Sequence, residues 1–407
     1  MPLLNHLNYI NHMNPQQTTL LSFWLTILMA MAVGISVASN YYAQPLLHSI
    51  TQDLQISVEN SGSIVTTAQF SYALGLLFIA PLGDKIERKT LIIILMLLTT
   101  IGLVISAVAY SKTMLIVGTA ISGIFSAVAQ VLIPFSATLA LPNQRGKVVG
   151  ILMSGMLLGI LLARTFAGAI STMADWRMVY WIAAAIMCFT TFLLCCSLPR
   201  YYHKNTTNYW QLISSIFGLF YQERVLRIRA LIGGIAFALF SLLWTPLAFL
   251  LSSEPYHYSD FIIGLFGLAG AAGAMGSPIV GKLSDKGKGI LVTSVGLALL
   301  LFSWLPLSLA QLSVMALVIG VIVIDFAVQV THVSCMNAIY QHGGVENRTR
   351  MNAGYMLSYF TGGMLGSLSS TYLFAHYGWY AIVSAGCLLA TFGILVWVYY
   401  LKNKSSR

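Results

Sequence analysis

The sequence predicts an all-α integral membrane protein of twelve transmembrane helices, arranged as two pseudo-symmetric halves of six. Three observations predict it. Of the 407 residues 58% are hydrophobic and only 8% are charged, with mean hydropathy +0.82, which is more apolar surface than a soluble domain can bury. Long apolar runs recur along the whole chain, each near the roughly 20 residues that carry a helix across a hydrocarbon core of about 30 Å. Finally, the polar landmarks between these runs repeat about halfway along the chain.

The runs cover residues 20–43, 61–82, 90–110, 114–139, 148–173, 178–198, 230–251, 261–280, 290–309, 313–338, 351–375 and 379–401. A β-barrel would show short alternating strands instead, so each run is assigned to a helix. The first nineteen residues carry no Lys or Arg and the first run is long, so no cleavable signal peptide is expected. The first run closes on Asn40, Tyr41 and Gln44, a cluster of amide and aromatic side chains. The second ends in the charged stretch Asp84-Lys85-Ile86-Glu87-Arg88-Lys89, and the fourth carries Gln130. The fifth is rich in glycine (Gly150, Gly155, Gly159, Gly168) and holds Arg164. After the sixth comes the longest polar stretch, 199–229, taken as a central loop between an N-terminal half (1–198) and a C-terminal half (230–407). The seventh run carries Trp244, and the eighth has a glycine at every third position from Gly264 to Gly276, including Gly267 and Gly270. Asp285 follows the eighth run, and the tenth holds Asp325, Gln329 and His332. The five cysteines show no metal or disulfide spacing, and packing accounts for them.

Six landmarks repeat at a nearly constant offset of 199 to 203 residues: Pro45-Leu46 with Pro246-Leu247, Leu82-Gly83-Asp84-Lys85 with Leu283-Ser284-Asp285-Lys286, Gln130 with Gln329, Arg145 with Arg348, Gly159 with Gly362 and Trp176 with Trp379. An internal duplication of six-helix units places a cavity between bodies that can rock about a site at the membrane midplane. The net charge of +10 follows the same plan. Eighteen of the 21 Lys and Arg fall in loops on one face, among them Arg229 and the ends of the chain; Lys112 and Arg177 fall opposite, and Arg164 stays in the membrane. The positive-inside rule puts that basic face, with both termini, in the cytoplasm, and the basicity then needs no nucleic acid. No P-loop is present, so ATP is not the direct driver.

These residues resemble the major facilitator superfamily over essentially the whole chain. The loop after the second run, Ala80 to Lys89, is similar to the family's Gly-x-Leu-x-Asp-[Arg/Lys]-x-Gly-Arg-[Arg/Lys] pattern, with Ala80 and Glu87 in place of two glycines. A weaker second copy runs from Gly281 to Lys288. The resemblance implies a gate on the cytoplasmic side for Asp84 and Arg88, with Asp285 at the second copy; a charge cluster that only sets topology is the competing reading. The fifth run resembles the family's antiporter motif, with Arg164 where the motif has proline. In this fold the fifth and eighth helices meet between the halves, so the glycines read either as a smooth seam or as ordinary tight packing. The segments Asn40 to Leu47 and Ala163 to Gly168 look most like bacterial inner-membrane efflux permeases of the sugar- and drug-efflux type. The family usually has an arginine where Thr119 stands, and many of its drug/proton antiporters have an acid in the first helix, which this chain lacks.

Arg164 and Asp325 are the two formal charges expected inside the membrane. Arg164 lies 11 residues from Asp175 and Asp325 lies 12 from Ser313, about 16 Å and about 18 Å at the helical rise, so their depths agree. Both break the repeat, with Ser367 opposite Arg164 and Ser126 opposite Asp325. A charge at a helix centre costs about 2.5–3.5 kcal/mol unless it is paired or wet. A salt bridge between them, direct or through water, is therefore expected, the alternative being that each faces water alone. Asp325 and His332 are the candidate proton carriers. Asn40, Tyr41, Gln44, Gln130, Trp244 and Gln329 are the candidate lining for a neutral or zwitterionic solute.

The sequence thus reads as a secondary transporter that exports a small organic solute by proton antiport, with alternating access. No enzyme chemistry, cofactor or metal is expected. The partners are a small-molecule substrate, protons and the lipid bilayer, and the chain is expected to be a monomer. A facilitator or proton symporter for a sugar or other small metabolite is the competing reading; a receptor without flux, or a degenerate transporter, is another.

Overall fold

A computed structural model describes residues 22–141, 143–201, 209–274, 280, 283–342 and 348–405. Among these no strand is present, and each apolar run lies on a helix or a broken pair of helices. The helices are α1 (Phe23–Ala38), α2 (Ala43–Asp53), α3 (Val58–Phe78), α4 (Arg88–Ala107), α5 (Lys112–Phe125), α6 (Val128–Leu139), α7 (Arg145–Met173) and α8 (Trp176–Ser197) in the first half of the chain. They continue as α9 (Tyr209–Gln222), α10 (Arg224–Ser252), α11 (Asp260–Ala274), α12 (Gly289–Phe302), α13 (Trp304–Ser308), α14 (Val314–His342), α15 (Arg348–Tyr377) and α16 (Trp379–Ser405).

Nine spans among the described residues are long and apolar enough to cross a membrane, and the bent pair α1–α2 makes a tenth. The eighth and eleventh runs fall on α11 and α15. α11 is cut short where the description stops, and Gly276 lies outside the described residues. α15 is diluted by Ser, Thr, Asn and Tyr.

Local chemistry explains the breaks. The first span bends by 42° between Ala38 and Ala43, close to Pro45, which has no N–H to continue a helical ladder. That break leaves Asn40 and Tyr41 between the two segments and puts Gln44 in the first turn of α2. The fourth span is interrupted between Phe125 and Val128, where Ser126 turns its hydroxyl onto the carbonyl of Gly123. α4 begins at a side-chain cap. Glu87, which replaces a motif glycine, accepts from the N–H of Lys89 and Thr90 and from the Thr90 hydroxyl. It also takes the N–H of Tyr201, tying the loop to the end of the sixth span.

Two features of the stretch 199–229 differ from the loop expected there. It contains α9, an amphipathic helix whose Ile213, Ile216 and Leu219 are buried while Phe217 and Tyr221 stay exposed. With Leu77 of α3, Ile213 and Ile216 pack beside Ala353 and Leu357 of α15. Arg229 is the second correction. It sits inside α10, only 5% exposed, with Nη1 donating to the Thr293 hydroxyl at 2.6 Å and its guanidinium 4.6 Å from the Trp397 ring. The apolar run begins at Ala230, so composition alone placed this arginine one residue outside a helix that starts at Arg224.

The repeat-related tryptophans both open helices and both are buried. Trp176 donates to Asp53 and Trp379 to the carbonyl of Leu307.

Candidate functional site

Glycine sets where the helices of the site stand. A Cβ on Gly34 would lie 2.5 Å from the carbonyl oxygen of Gly155, and one on Gly159 would lie 2.2 Å from that of Gly34. α1 and α7 therefore touch backbone to backbone, a contact that larger side chains would prevent. For Gly155 and Gly159 this favours tight packing over a seam between halves, because both face α1 within the first six spans. Gly150 has nothing within 4 Å of its Cβ direction and makes no interface at all. The contact of α7 with α11 is made instead at Gly168, Gly264 and Gly267, against the backbone of Asp260 and the backbone and side chain of Arg164. Toward the basic-loop end this contact is lost, and a cavity of ≈ 360 Å³ opens.

The head of that cavity is a cluster of four side chains. Arg164 is 2% exposed; its Nε donates to Oε1 of Gln44 at 2.9 Å. Its guanidinium carbon lies 3.9 Å from the Trp244 ring centroid, with Tyr41 at 5.2 Å and Phe240 at 5.4 Å. An arginine surrounded by aromatic faces is stabilised electrostatically without a counter-ion in contact. Trp244 then donates its indole N–H to Oδ1 of Asp325 at 3.0 Å, and Asp325 is 7% exposed. A Cβ on Gly270 would collide with Oδ2 of Asp325, so a side chain at 270 would force this carboxylate to move.

The expected salt bridge is corrected accordingly. No ion pair within 4.0 Å joins Arg164 and Asp325; the Trp244 indole stands between them, one face to the cation and its N–H to the anion, and the charges interact through space. The symmetry mates of the two charges are hydroxyls engaged in bonds between helices: Asn40 donates to Ser126 at 2.9 Å, and Thr245 to Ser367 at 3.0 Å.

Of the nine residues singled out for coupling and substrate, Asn40, Tyr41, Gln130, Arg164, Asp325, Gln329 and His332 line this one cavity. Gln44 and Trp244 do not; both are buried behind its wall, where they hold Arg164 and Asp325. Gln130 and Tyr72 stand in the same wall. Two helical turns from Asp325, Nδ1 of His332 lies 3.0 Å from the hydroxyl of Tyr355, with the Tyr359 ring at 4.6 Å. Sequence reasoning missed most of the apolar wall, which includes Phe237, Tyr359, Phe360, Met153, Met156 and Met336. Phe237, Phe240 and Trp244 recur at i, i+3 and i+7 in a helix that is apolar all round, so the spacing had no polar face to mark its direction.

The opposite end is shut. Oδ2 of Asp260, at the start of α11, accepts from the hydroxyls of Ser49 and Ser171, each at 2.6 Å. Beside it the N–H of Phe261 donates to Thr172, and Thr165 donates to the carbonyl of Gly264. In the sequence Asp260 stands just before the eighth run with nothing to mark it, yet it is 9% exposed. The predicted gate at the basic end is described in part. Arg88 donates from Nε to the carbonyl of Gly83 and from Nη1 to Thr138, and lies over Phe135 and Tyr201. The backbone at Asp84 and Asp285 is helical, and their side chains lie outside what is described.

Comparison with known proteins agrees with this architecture. The family model described as Major Facilitator Superfamily matches residues 29–344. "Uncharacterized transporter YgaY" of Escherichia coli O157:H7 is 49% identical over 374 residues, 92% of this chain and 94% of that protein. "Inner membrane transport protein YnfM" of Escherichia coli K12 is 27% identical over 282 residues, 67% of each chain. Among solved structures, a bacterial homologue of the human lysosomal transporter Spinster, inward-facing and occupied, has a TM-score of 0.74 at 14% identity, covering 93% of this chain and 96% of that one.

Proposed function

This chain belongs to the Major Facilitator Superfamily, and we propose that it exports a small organic solute across a bacterial inner membrane in exchange for protons. The observation that carries the reading is the Arg164–Trp244–Asp325 cluster at the head of the ≈ 360 Å³ cavity. Arg164 belongs to the first six spans, Trp244 and Asp325 to the last six. The cluster therefore joins two bodies, 1–198 and 230–407, at the place where a rocking motion changes its geometry most directly.

With the positive-inside rule, the open end of the cavity faces the cytoplasm, as do both termini. Cargo loads there while Asp325 is ionised and held by Trp244. A proton taken by Asp325 from the outer face weakens its pull on Arg164 and on the cargo, so loading by proton and by cargo exclude each other. His332 is the second candidate carrier, on the same helix and in the same cavity. Opening outward requires Ser49 and Ser171 to leave Asp260, whose hydrogen bonds water can replace at small net cost. Arg88, with Asp84 and Asp285, gates the cytoplasmic end.

The test is a compound panel applied to a strain lacking its major exporters, with and without this protein. Exported compounds are then followed in inverted vesicles under an imposed pH gradient. We expect at least one compound to accumulate less in expressing cells, and Asp325→Asn to lose the response to the pH gradient. An Asp325→Asn protein still driven fully by that gradient would refute the role given to this carboxylate.

A further inference from the structure

Arg164 and Asn40, both in the cavity wall, leave unfinished hydrogen bonding of opposite kinds. Nη2 of Arg164 is buried and has no hydrogen-bond partner, although Nε of the same group is satisfied by Gln44. Oδ1 of Asn40 is likewise buried without a partner. Its orientation is fixed, because Nδ2 donates to the Val37 carbonyl at 3.4 Å and to the Ser126 hydroxyl at 2.9 Å. On Asp325, Oδ1 is taken by Trp244. Arg164, Asn40 and Asp325 all line the cavity, so its wall holds one unused cationic donor and one unused amide acceptor beside a carboxylate, both atoms shut off from water in this state. A buried donor or acceptor left unmade is costly, so a ligand that completes it gains more than an ordinary surface hydrogen bond would give.

Charge narrows the class. An anion on Arg164 alone would sit beside the Asp325 carboxylate, and a cation on Asp325 alone would sit beside the guanidinium. A solute bearing both charges satisfies each group and leaves the site as neutral as it found it. The rest of the wall is apolar and adaptable: Met153, Met156, Met336 and Met356 with Phe237 and Phe360. The volume is at the small end of ligand sites, which run from about 300 to about 1,000 Å³.

We propose that the cargo is a zwitterion, an α-amino acid with an apolar side chain. Its carboxylate takes Nη2 of Arg164, its ammonium binds Asp325 and the free oxygen of Asn40, and its side chain rests among the methionines. Gly270 is the specificity-determining residue that lets the Asp325 carboxylate stand where the ammonium needs it. Proton exchange follows from the same contact, because a proton on Asp325 removes the ammonium's counter-ion. This assignment rests on the transporter reading above.

The experiment is direct binding to purified protein in nanodiscs, with tritiated L-leucine, L-methionine and L-phenylalanine as probes, alongside the compound panel. N-acetyl-L-leucine, which lacks the ammonium, and L-leucinamide, which lacks the carboxylate, serve as competitors. We expect saturable binding of at least one amino acid, and each one-charge analogue at least tenfold weaker than the parent. Arg164→Gln and, separately, Gly270→Ala should each weaken it at least tenfold in protein that stays monodisperse. Equal competition by N-acetyl-L-leucine would reduce the site to an anion subsite and overturn the proposal; equal competition by L-leucinamide would do so from the other side. If no amino acid binds while a panel compound is exported, the zwitterion assignment fails and the transporter reading stands. If nothing binds and nothing is exported, both fail.

Discussion

Arg164 and Asp325 allow a quantitative test, because the structure fixes how strongly they should feel each other. The guanidinium carbon stands 3.9 Å from the Trp244 ring centroid, and the same indole reaches Asp325 across 3.0 Å through its in-plane N–H. With the indole between them the charges stand on the order of 6 Å apart, where an effective dielectric of about 20 gives an attraction of about 3 kcal/mol. Removing one charge also strands the other in a buried setting, a loss of about 3–5 kcal/mol. The perturbation is a double-mutant cycle of Arg164→Met, Asp325→Asn and the pair, read by reversible unfolding in mixed micelles. Each single change should cost several kcal/mol, and the double should cost less than their sum by about 1–3 kcal/mol. Stabilities that add within about 0.5 kcal/mol would refute the through-space coupling across the indole.

The glycines of α7 separate by their neighbours. Gly159→Ala pushes a methyl group onto the Gly34 backbone and should cost about 1–3 kcal/mol, whereas Gly150→Ala meets nothing within 4 Å and should gain about 0.5–1 kcal/mol of helix propensity; thermal unfolding of the two variants checks the order. Glu87 predicts a pH dependence at the start of α4. Burial pushes its carboxyl up, but hydrogen bonds from the Thr90 hydroxyl and from the N–H groups of Tyr201, Thr90 and Lys89 outweigh that and hold it below the usual carboxylate range. Its contribution is therefore complete above the unfolded-state value of about 4.3 and fades as pH falls through the lower folded-state value, so Glu87→Gln should be less stable than the parent at pH 7 and converge with it in acid.

Much of the fold was legible because a bilayer imposes one rule on every span. Apolar length and the loop charges gave the helices, and the 199–203 offset gave the repeat. Depth along a helix could be counted too, which is why Arg164 and Asp325 were placed at one level. Counting residues gives height but not which way a side chain faces across a cavity, so the indole between the charges was invisible even though Trp244 was itself singled out. The same limit left seam and tight packing both open for Gly155 and Gly159, whose neighbours depend on helix rotation. Asp260 and Arg229 were missed for another reason. Both stand within a turn or two of a helix end, where composition reads a charge as solvated, and only the packing of Ser49, Ser171, Thr293 and Trp397 shows otherwise.

The sandwiched position of Trp244 has an optical consequence. An indole with a cation over its face and a carboxylate on its N–H sits in a strong local field, and its emission energy follows that field. Arg164 is carried by α7, locked through glycine to α1, while the indole is carried by α10. Any relative movement of those helices slides the cation across the chromophore. Against the seven other tryptophans, a difference spectrum between the parent and Trp244→Phe isolates this one signal. The protein thus holds an intrinsic gauge of its own conformational cycle, readable without a label and without knowing the cargo.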